Sequence, residues 1–153
     1  KPENRSVKPF PVQGCVPLVY GDVALDSVRG CTIASTEMIF EYLAPRLHPS
    51  RILMVGQEDG DYTGDPTLDP TARRLARISP DRYDQIRSWL TASHATDVTG
   101  GMLSKVESLL RLVSDLEGLS VRLFSGLIPD QLTASLIDSD YPAGTLVTRQ
   151  DKG

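Results

Sequence analysis

Apolar and polar positions along the chain form segments that predict strands and helices in turn. Short apolar runs predict buried strands at residues 51–55, 119–124 and 144–148. A further run at residues 16–20 is closed by a Gly-Asp pair and predicts a buried strand that ends in a tight turn. Polar interruptions within residues 23–33 favour a small β-hairpin.

Helical periodicity is strongest in residues 102–117, and Gly118 is expected to end that helix. Residues 35–47 form a second predicted helix, with Ser35 as its N-cap and prolines that discourage its continuation. Shorter helices are predicted at residues 81–90 and 129–137, and residues 67–80 are predicted to be a long surface excursion. The positions expected to face inward are Met102, Val106, Leu109, Leu110, Val113 and Leu116 in the strongest helix, and Tyr83, Ile86 and Leu90 in residues 81–90.

Strands that alternate with helices indicate an α/β fold with a largely parallel sheet. We expect one domain over residues 16–153, preceded by a loose lead-in at residues 1–15. In such folds, ligands bind beyond the carboxyl ends of the strands. Three Gly-rich turns fall at such places: Gly21-Asp22, the loop at residues 56–66, and Gly100-Gly101. Each alone is more often a plain turn, but together they predict a ligand site.

Composition narrows the class of protein. Of 153 residues, 40% are hydrophobic and 24% are charged, which indicates a soluble globular protein rather than a disordered chain. A net charge of −4 argues against a nucleic-acid partner, and no apolar run is long enough to span a membrane. No signal peptide is visible, and Cys15 and Cys31 make no metal-ligand pattern, so we expect reduced thiols and a cytoplasmic location.

Lys105 lies just inside the helix that begins near Gly100-Gly101. Free backbone N–H groups and the helix dipole favour an anion at a helix start, and a phosphate would supply the negative charge that a lysine there needs. The alternative is a solvated lysine paired with Glu107 or another carboxylate. The sequence of this turn does not have the spacing of a Walker A loop.

Other candidate side chains give weaker signals. Asp59 and Asp61 are expected to make their loop soluble, although two such carboxylates could hold Mg²⁺. His48 and His94 are far apart and lack an acid or nucleophile pattern, and His48 is expected to cap a helix end.

Several motifs follow one another in a fixed order: VPLVYGDV at residues 16–23, the helix at residues 35–44, DGDYTGDP at residues 59–66, and DVTGGM at residues 97–102 with Lys105 after it. These segments resemble the isopentenyl phosphate kinase family of the amino acid kinase superfamily. Its corresponding motifs are PVLYGDVV, SGDEI with YLA, DGVYT-DP and DVTGGM--K, of which the last is the most specific. SGLIP at residues 125–129 and Gly144-Thr145 resemble its closing segments.

The resemblance implies a three-layer α/β/α sandwich, and this chain resembles the C-terminal, nucleotide-binding part of it. It implies ATP-dependent phosphorylation of isopentenyl phosphate to isopentenyl diphosphate, with Mg²⁺ held mainly by the phosphates and a possible homodimer. Lys105 would reach the transferring phosphoryl group and Glu37 would orient lysines, while Gly21 and Asp22 would lie at the substrate phosphate. The implied nucleotide-binding residues are Gly56, Asp59, Gly60, Tyr62, Asp65, Gly100, Gly101 and Lys105.

The chain also departs from the family pattern. The KLGGS strand, whose lysine and glycines contact ATP phosphates, and the glycine-flanked histidine for the substrate phosphate are absent. We therefore expect this chain to be inactive alone and to act as part of a longer enzyme. Glu37, Thr36 and Gly56-Gln57 replace the usual Asp, Gly and Thr-Asp. Two alternatives stay open: a non-catalytic nucleotide-binding fragment, and another superfamily kinase acting on uridylate or an amino acid.

Overall fold

The computed structural model describes residues 16–93 and 101–149 and divides the chain into two units, Lys1–His48 and Pro49–Gly153. The described part of the first unit contains strands β1 (Asp22–Asp26) and β2 (Gly30–Ala34) and helix α1 (Thr36–Leu47). The second unit contains strands β3 (Arg51–Gly56) and β4 (Arg77–Ile78), a 3₁₀ turn at Pro80–Arg82, helices α2 (Tyr83–Ser93) and α3 (Gly101–Asp115), strand β5 (Ser120–Ser125), helix α4 (Gln131–Ile137) and strand β6 (Thr145–Thr148).

The hairpin predicted in the first unit is confirmed. β1 and β2 pair antiparallel, with Asp22 opposite Ala34 and Asp26 opposite Gly30. The Asp26 carboxylate accepts hydrogen bonds from the backbone N–H groups of Val28 and Arg29, at 2.8 and 2.7 Å, and these bonds lower the pKa of Asp26. The carboxylate therefore fixes the turn that joins the two strands.

The predicted ends of α1 are also confirmed. The Ser35 hydroxyl accepts a hydrogen bond from the backbone N–H of Met38 at 3.2 Å, as an N-cap does. His48 caps the other end in the left-handed conformation, and its N–H donates to the Ala44 carbonyl at 2.8 Å. Pro45 lies within the last turns without ending the helix.

The buried strand predicted at residues 16–20 is wrong. These residues form no strand, and Val16, Leu18 and Tyr20 are exposed. A short apolar run becomes a strand only where a neighbouring strand satisfies its backbone hydrogen bonds, and no described strand pairs with this run.

The second unit is built on a four-stranded sheet in the order β3-β5-β6-β4. The pairs β3–β5 and β4–β6 are parallel, and the central pair β5–β6 is antiparallel. Two of the three strand pairings are thus parallel, and α3 packs on the sheet. These features confirm the predicted α/β class with a mostly parallel sheet. The antiparallel centre was not predicted, because the direction in which β6 returns depends on the loop after α4.

The core of this unit lies between α3 and the sheet. α3 packs on β5 and β6, and α2 packs on α3. The inward positions predicted for the strongest helix are confirmed for Val106, Leu109, Leu110 and Val113, which are buried together with Val121, Leu123 and Val147 of the strands. Ile86 of α2 is also buried, as predicted, whereas the Met102 and Leu90 side chains lie outside the described residues.

The surface excursion predicted at residues 67–80 is wrong at its end. Arg77–Ile78 form β4, which pairs with β6, and the Leu146 N–H donates to the Ala76 carbonyl at 3.0 Å. Ile78 and Ser79 are fully buried. The two-residue strand is too short for a periodic apolar signal, so the sequence did not reveal it.

Candidate functional site

The loop at residues 56–66 leaves the sheet at the carboxyl ends of β3 and β5, where an open α/β sheet binds ligands. The end of β5 holds the start of this loop. The Gly126 N–H donates to the Gly56 carbonyl at 2.8 Å, and the Ser125 hydroxyl donates to the Gln57 carbonyl at 2.7 Å. The predicted Gly-rich loop is therefore an ordered part of the second unit.

The Asp59 side chain connects its loop to two other segments of the second unit, residue 74 and the start of α4. Its carboxylate forms a salt bridge with Arg74 and accepts a hydrogen bond from the Gln131 side-chain amide at 2.9 Å. Gln131 is buried at the start of α4. The interpretation of Asp59 as a loop solubiliser is wrong, because its charge joins the loop to α4 and to residue 74.

The Thr145 hydroxyl, at the start of β6, holds the next residues of the loop. It accepts a hydrogen bond from the Asp61 N–H at 2.8 Å and donates to the Leu75 carbonyl at 2.6 Å. The Leu75 N–H in turn donates to the Asp61 carbonyl at 2.8 Å. Gly60 has a φ of 100°, and a Cβ atom there would lie 2.5 Å from the Thr145 hydroxyl oxygen, so this close approach requires glycine.

The Asp61 carboxyl group is buried rather than solvated. The residue is 3% exposed, and its Oδ2 atom has no hydrogen-bond partner. Burial raises the pKa of Asp61, and the positive charge of Lys105 opposes that shift. The solubiliser interpretation is therefore wrong for Asp61 as well.

The structure describes the surroundings of Lys105 and of Glu107, the partner considered for it. Lys105 is half-buried on α3, and Glu107, the partner considered for it, accepts a hydrogen bond from the Tyr83 hydroxyl. That bond raises the pKa of Tyr83. The positive charge of Lys105 opposes the rise in the pKa of Asp61, so pairing of Lys105 with a carboxylate other than Glu107 stays open.

The remaining predicted loop residues also have defined places. Tyr62 forms an isolated antiparallel bridge with Arg74, and the Thr63 N–H donates to the Arg73 carbonyl at 2.9 Å. Asp65 accepts a hydrogen bond from the Thr67 N–H at 2.8 Å and so fixes the turn that follows. Tyr62 and Asp65 are both partly exposed.

Other predicted site residues lie elsewhere. Gly101 is the first residue of α3, whereas Gly100 and the turn before it lie outside the described residues. In the first unit, the Gly21 N–H donates to the Thr36 hydroxyl at 3.1 Å, and the Asp22 carboxylate accepts from the Val23 N–H at 2.7 Å. Glu37 is in the first turn of α1. The substrate and lysine-orienting roles of these residues remain predictions.

Sequence analysis did not identify three residues that build the site: Arg74, Gln131 and Thr145. They contact Asp59 or Asp61 across 15, 72 and 84 positions of the chain, so no local spacing could reveal them. The Gly144-Thr145 pair is the only local signal for these residues, and the sequence alone assigns it no structural role.

No metal site is formed by this part of the chain. Residues 16–93 and 101–149 contain no group of three or more His, Cys, Asp or Glu side chains that could hold an ion. None of the described helices is long and apolar enough to cross a membrane. Cys31 is an exposed free thiol.

Comparison with known proteins finds that the relatives of this chain are kinases. Residues 7–125 match the model of the amino acid kinase family. The isopentenyl phosphate kinase of Methanothermobacter thermautotrophicus is 33% identical over 144 residues, and the alignment covers 93% of this chain and 52% of that protein. The glutamate 5-kinase of Zymomonas mobilis is 31% identical over 129 residues, covering 78% of this chain and 31% of that protein.

Solved structures agree with this assignment. A crystal structure described as isopentenyl phosphate kinase superposes with a TM-score of 0.64 at 28% identity, covering 89% of this chain and 47% of that one. The chain thus spans about half the length of the proteins that it matches. Because the family model matches more than half of the residues, the chain belongs to the amino acid kinase family.

Proposed function

We propose that this chain is the nucleotide-binding part of a kinase that transfers the γ-phosphoryl group of ATP to isopentenyl phosphate. The observation that carries the proposal is the loop at residues 56–66, which is anchored at the carboxyl ends of β3 and β5. The positive charge of Lys105 opposes the rise in the pKa of Asp61 in this loop. The likeness to isopentenyl phosphate kinases over most of the chain supports the choice of acceptor.

The proposed chemistry is a phosphoryl transfer between two anions. An oxygen of the acceptor phosphate forms a bond to the γ-phosphorus of ATP, the bond from that phosphorus to the β-phosphate oxygen breaks, and ADP leaves. The acceptor is already ionised, so the reaction needs alignment and charge neutralisation rather than a strong general base. The absence of a catalytic His–acid pattern in the sequence agrees with this requirement.

Each part of the site has a proposed task. Lys105 neutralises charge on the transferring phosphoryl group, and the helix dipole at Gly101 favours the phosphates at the start of α3. The loop from Gly56 to Asp65 holds the adenosine, with Tyr62 partly exposed beside it. The bonds from Gln131 and Thr145 keep this loop in one conformation before the nucleotide arrives.

Mg²⁺ would be bound mainly through the ATP phosphates. The Asp59 carboxylate is engaged by Arg74 and Gln131, and the Asp61 carboxyl group is buried, so neither offers a ready metal ligand. When bound with ATP, Mg²⁺ would neutralise part of the phosphate charge.

A second candidate is kinase activity on glutamate, because a glutamate 5-kinase is also 31% identical to this chain. An acceptor panel separates the two candidates. Phosphoryl transfer from γ-labelled ATP is measured with isopentenyl phosphate, glutamate and uridylate, using the enzyme that contains this chain. Preferential labelling of isopentenyl phosphate is expected, and labelling of glutamate alone would contradict the proposal.

Nucleotide binding is tested separately on the purified chain by titration calorimetry with Mg·ATP. The non-catalytic alternative would be supported if the chain and the enzyme that contains it both bind ATP saturably but neither transfers its phosphoryl group. Failure of the chain to bind ATP would contradict the proposed role of the loop.

A further inference from the structure

The Asp59 carboxylate is held by two side chains that reach it from distant segments. Its Oδ2 atom pairs with the Arg74 guanidinium, and its Oδ1 atom accepts a hydrogen bond from the Gln131 amide at 2.9 Å. The Asp59 side chain is 25% exposed and the Arg74 side chain is 36% exposed, so the ion pair is partly withdrawn from water. Both oxygens of the carboxylate are therefore engaged within the second unit.

Arg74 meets the loop through its backbone as well as through its side chain. It forms the antiparallel bridge with Tyr62, next to the backbone bonds between Thr63 and Arg73. This bridge fixes the residue from which the guanidinium extends, so the salt bridge to Asp59 is a second connection between the same two segments. A charged pair loses less entropy on forming when the backbone that carries it is already ordered.

The charge of Asp59 orients the Gln131 side chain. Gln131 is 4% exposed at the start of α4, and its Nε2 atom donates to Asp59 while its Oε1 atom has no hydrogen-bond partner. An ionised carboxylate accepts hydrogen bonds and does not donate them, so the amide nitrogen has to face it. The start of α4 thus holds the carboxylate although one buried acceptor stays unsatisfied, which costs free energy.

We infer that Asp59 positions the loop at residues 56–66 for the nucleotide instead of contacting the nucleotide, and that Arg74 and Gln131 are positioning residues that act through it. This inference rests on the proposed function, since it takes this loop as the part that holds adenosine. A negative charge at Asp59 would repel a triphosphate, and its two oxygens already have donors. A loop that is already ordered loses less conformational entropy on binding, so these contacts raise the affinity without touching the ligand.

A charge swap separates positioning from direct contact. Affinities for Mg·ATP and adenosine are measured by titration calorimetry with the unchanged chain, Asp59→Arg, Arg74→Asp and the double variant that carries both changes. Each single substitution should weaken binding of both ligands about fivefold to tenfold, because two like charges then meet beside the loop. The double variant should recover most of the affinity, because the ion pair is restored in reverse and the Gln131 amide can present its oxygen to the arginine.

Arg73→Ala is the matched control for the charge. Arg73 is exposed, and it bonds Thr63 through its backbone N–H and carbonyl, which alanine keeps. This substitution removes one positive charge from the position next to Arg74 and should leave both affinities unchanged.

The double variant decides between the two roles of Asp59. If it bound ATP as weakly as Asp59→Arg, the nucleotide itself would need a carboxylate at residue 59, and the inference would be overturned while the proposed function stands. No ATP binding by the unchanged chain would overturn both.

The second test needs neither nucleotide nor reversed charges. Hydrogen exchange is measured for the unchanged chain, Arg74→Ala and Gln131→Met, each of which removes one contact to Asp59. Amides of residues 57–63 should exchange about threefold to tenfold faster in both variants, whereas β5 should keep its protection. Loop exchange that is unchanged, or accelerated no more than that of β5, would overturn the inference, because the contacts would then not hold the loop specifically.

Discussion

At the scale of single residues, Lys105 is the side chain on which the proposed chemistry depends most. In an active enzyme that contains this chain, Lys105→Ala should lower kcat by roughly 10²–10³-fold, or about 3–4 kcal/mol, because one preorganised charge at the phosphoryl group is lost. Lys105→Arg should restore only part of the rate, since a planar guanidinium does not replace a point charge. Steady-state phosphorylation of isopentenyl phosphate measures this effect.

A melting curve on the same Lys105 variants separates catalysis from folding. If the alanine variant kept the wild-type kcat, Lys105 would be a solvated surface residue that does not contact the phosphoryl group. A collapse of the melting temperature would make it a structural residue, because a half-buried lysine near a helix start should contribute little to stability.

Asp61 gives a residue-scale prediction about pH. Burial raises its folded-state pKa above the ordinary value of 3.8, so between these two values the folded protein binds more protons than the unfolded chain. The contribution of Asp61 to the free energy of unfolding should therefore be highest below about pH 3.8 and fall as the pH rises through the folded-state pKa of Asp61. Asp61→Asn should remove this decline and stabilise the protein at neutral pH by on the order of 1 kcal/mol.

Urea unfolding of both proteins between about pH 3 and pH 8 tests this sign. The two stability curves should converge at the acidic end and separate towards neutrality. A gap that is constant over the whole range would mean that the Asp61 charge does not affect stability.

At the scale of elements, the start of β6 depends on Gly144. Its φ is 52°, and a Cβ atom there would lie 1.8 Å from the Leu123 carbonyl oxygen of β5. Gly144→Ala should therefore destabilise the protein by about 3 kcal/mol or more, because backbone strain adds to a clash with a fixed strand. The same change should disturb Thr145 and, through it, the loop at Asp61.

Gly118 provides a matched control for this substitution. Its φ is 81°, but nothing lies within 4 Å of the Cβ position. Gly118→Ala should cost only the left-handed backbone strain, about 1–2 kcal/mol. Urea unfolding of the two variants measures the difference, and equal losses would show that β5 yields to the added methyl group.

At the scale of the whole molecule, the two units differ in how they bury apolar residues. The second unit has a continuous core in which Val106, Val113 and Val121 are inaccessible to solvent. In the described part of the first unit, Ala44 is the one buried hydrophobic residue, while Leu25 is 96% exposed and Ile33 is 74% exposed. The hydrophobic stabilisation of the described structure therefore comes mainly from the second unit.

The sequence by itself determined the elements with a local signal. The α3 core positions Val106, Leu109 and Val113 followed from a period near 3.6 residues, and the Ser35 cap followed from a hydroxyl before that pattern. The loop at residues 56–66 and Lys105 were identified from their motifs, and their functional roles remain predictions. Neighbouring residues alone produce such features, so they can be recognised in the sequence without the fold.

Only the tertiary structure decided which distant residues complete the site. Residues 16–20 needed a partner strand that no local pattern supplies, and β4 became a strand because β6 pairs with it. The burial of Asp61 depends on Thr145, 84 positions away, and its electrostatic partner Lys105 lies on a separate helix. Burial and charge–charge energies depend on distances in the folded chain, so the sequence could name these carboxylates but could not show that Asp61 lies buried.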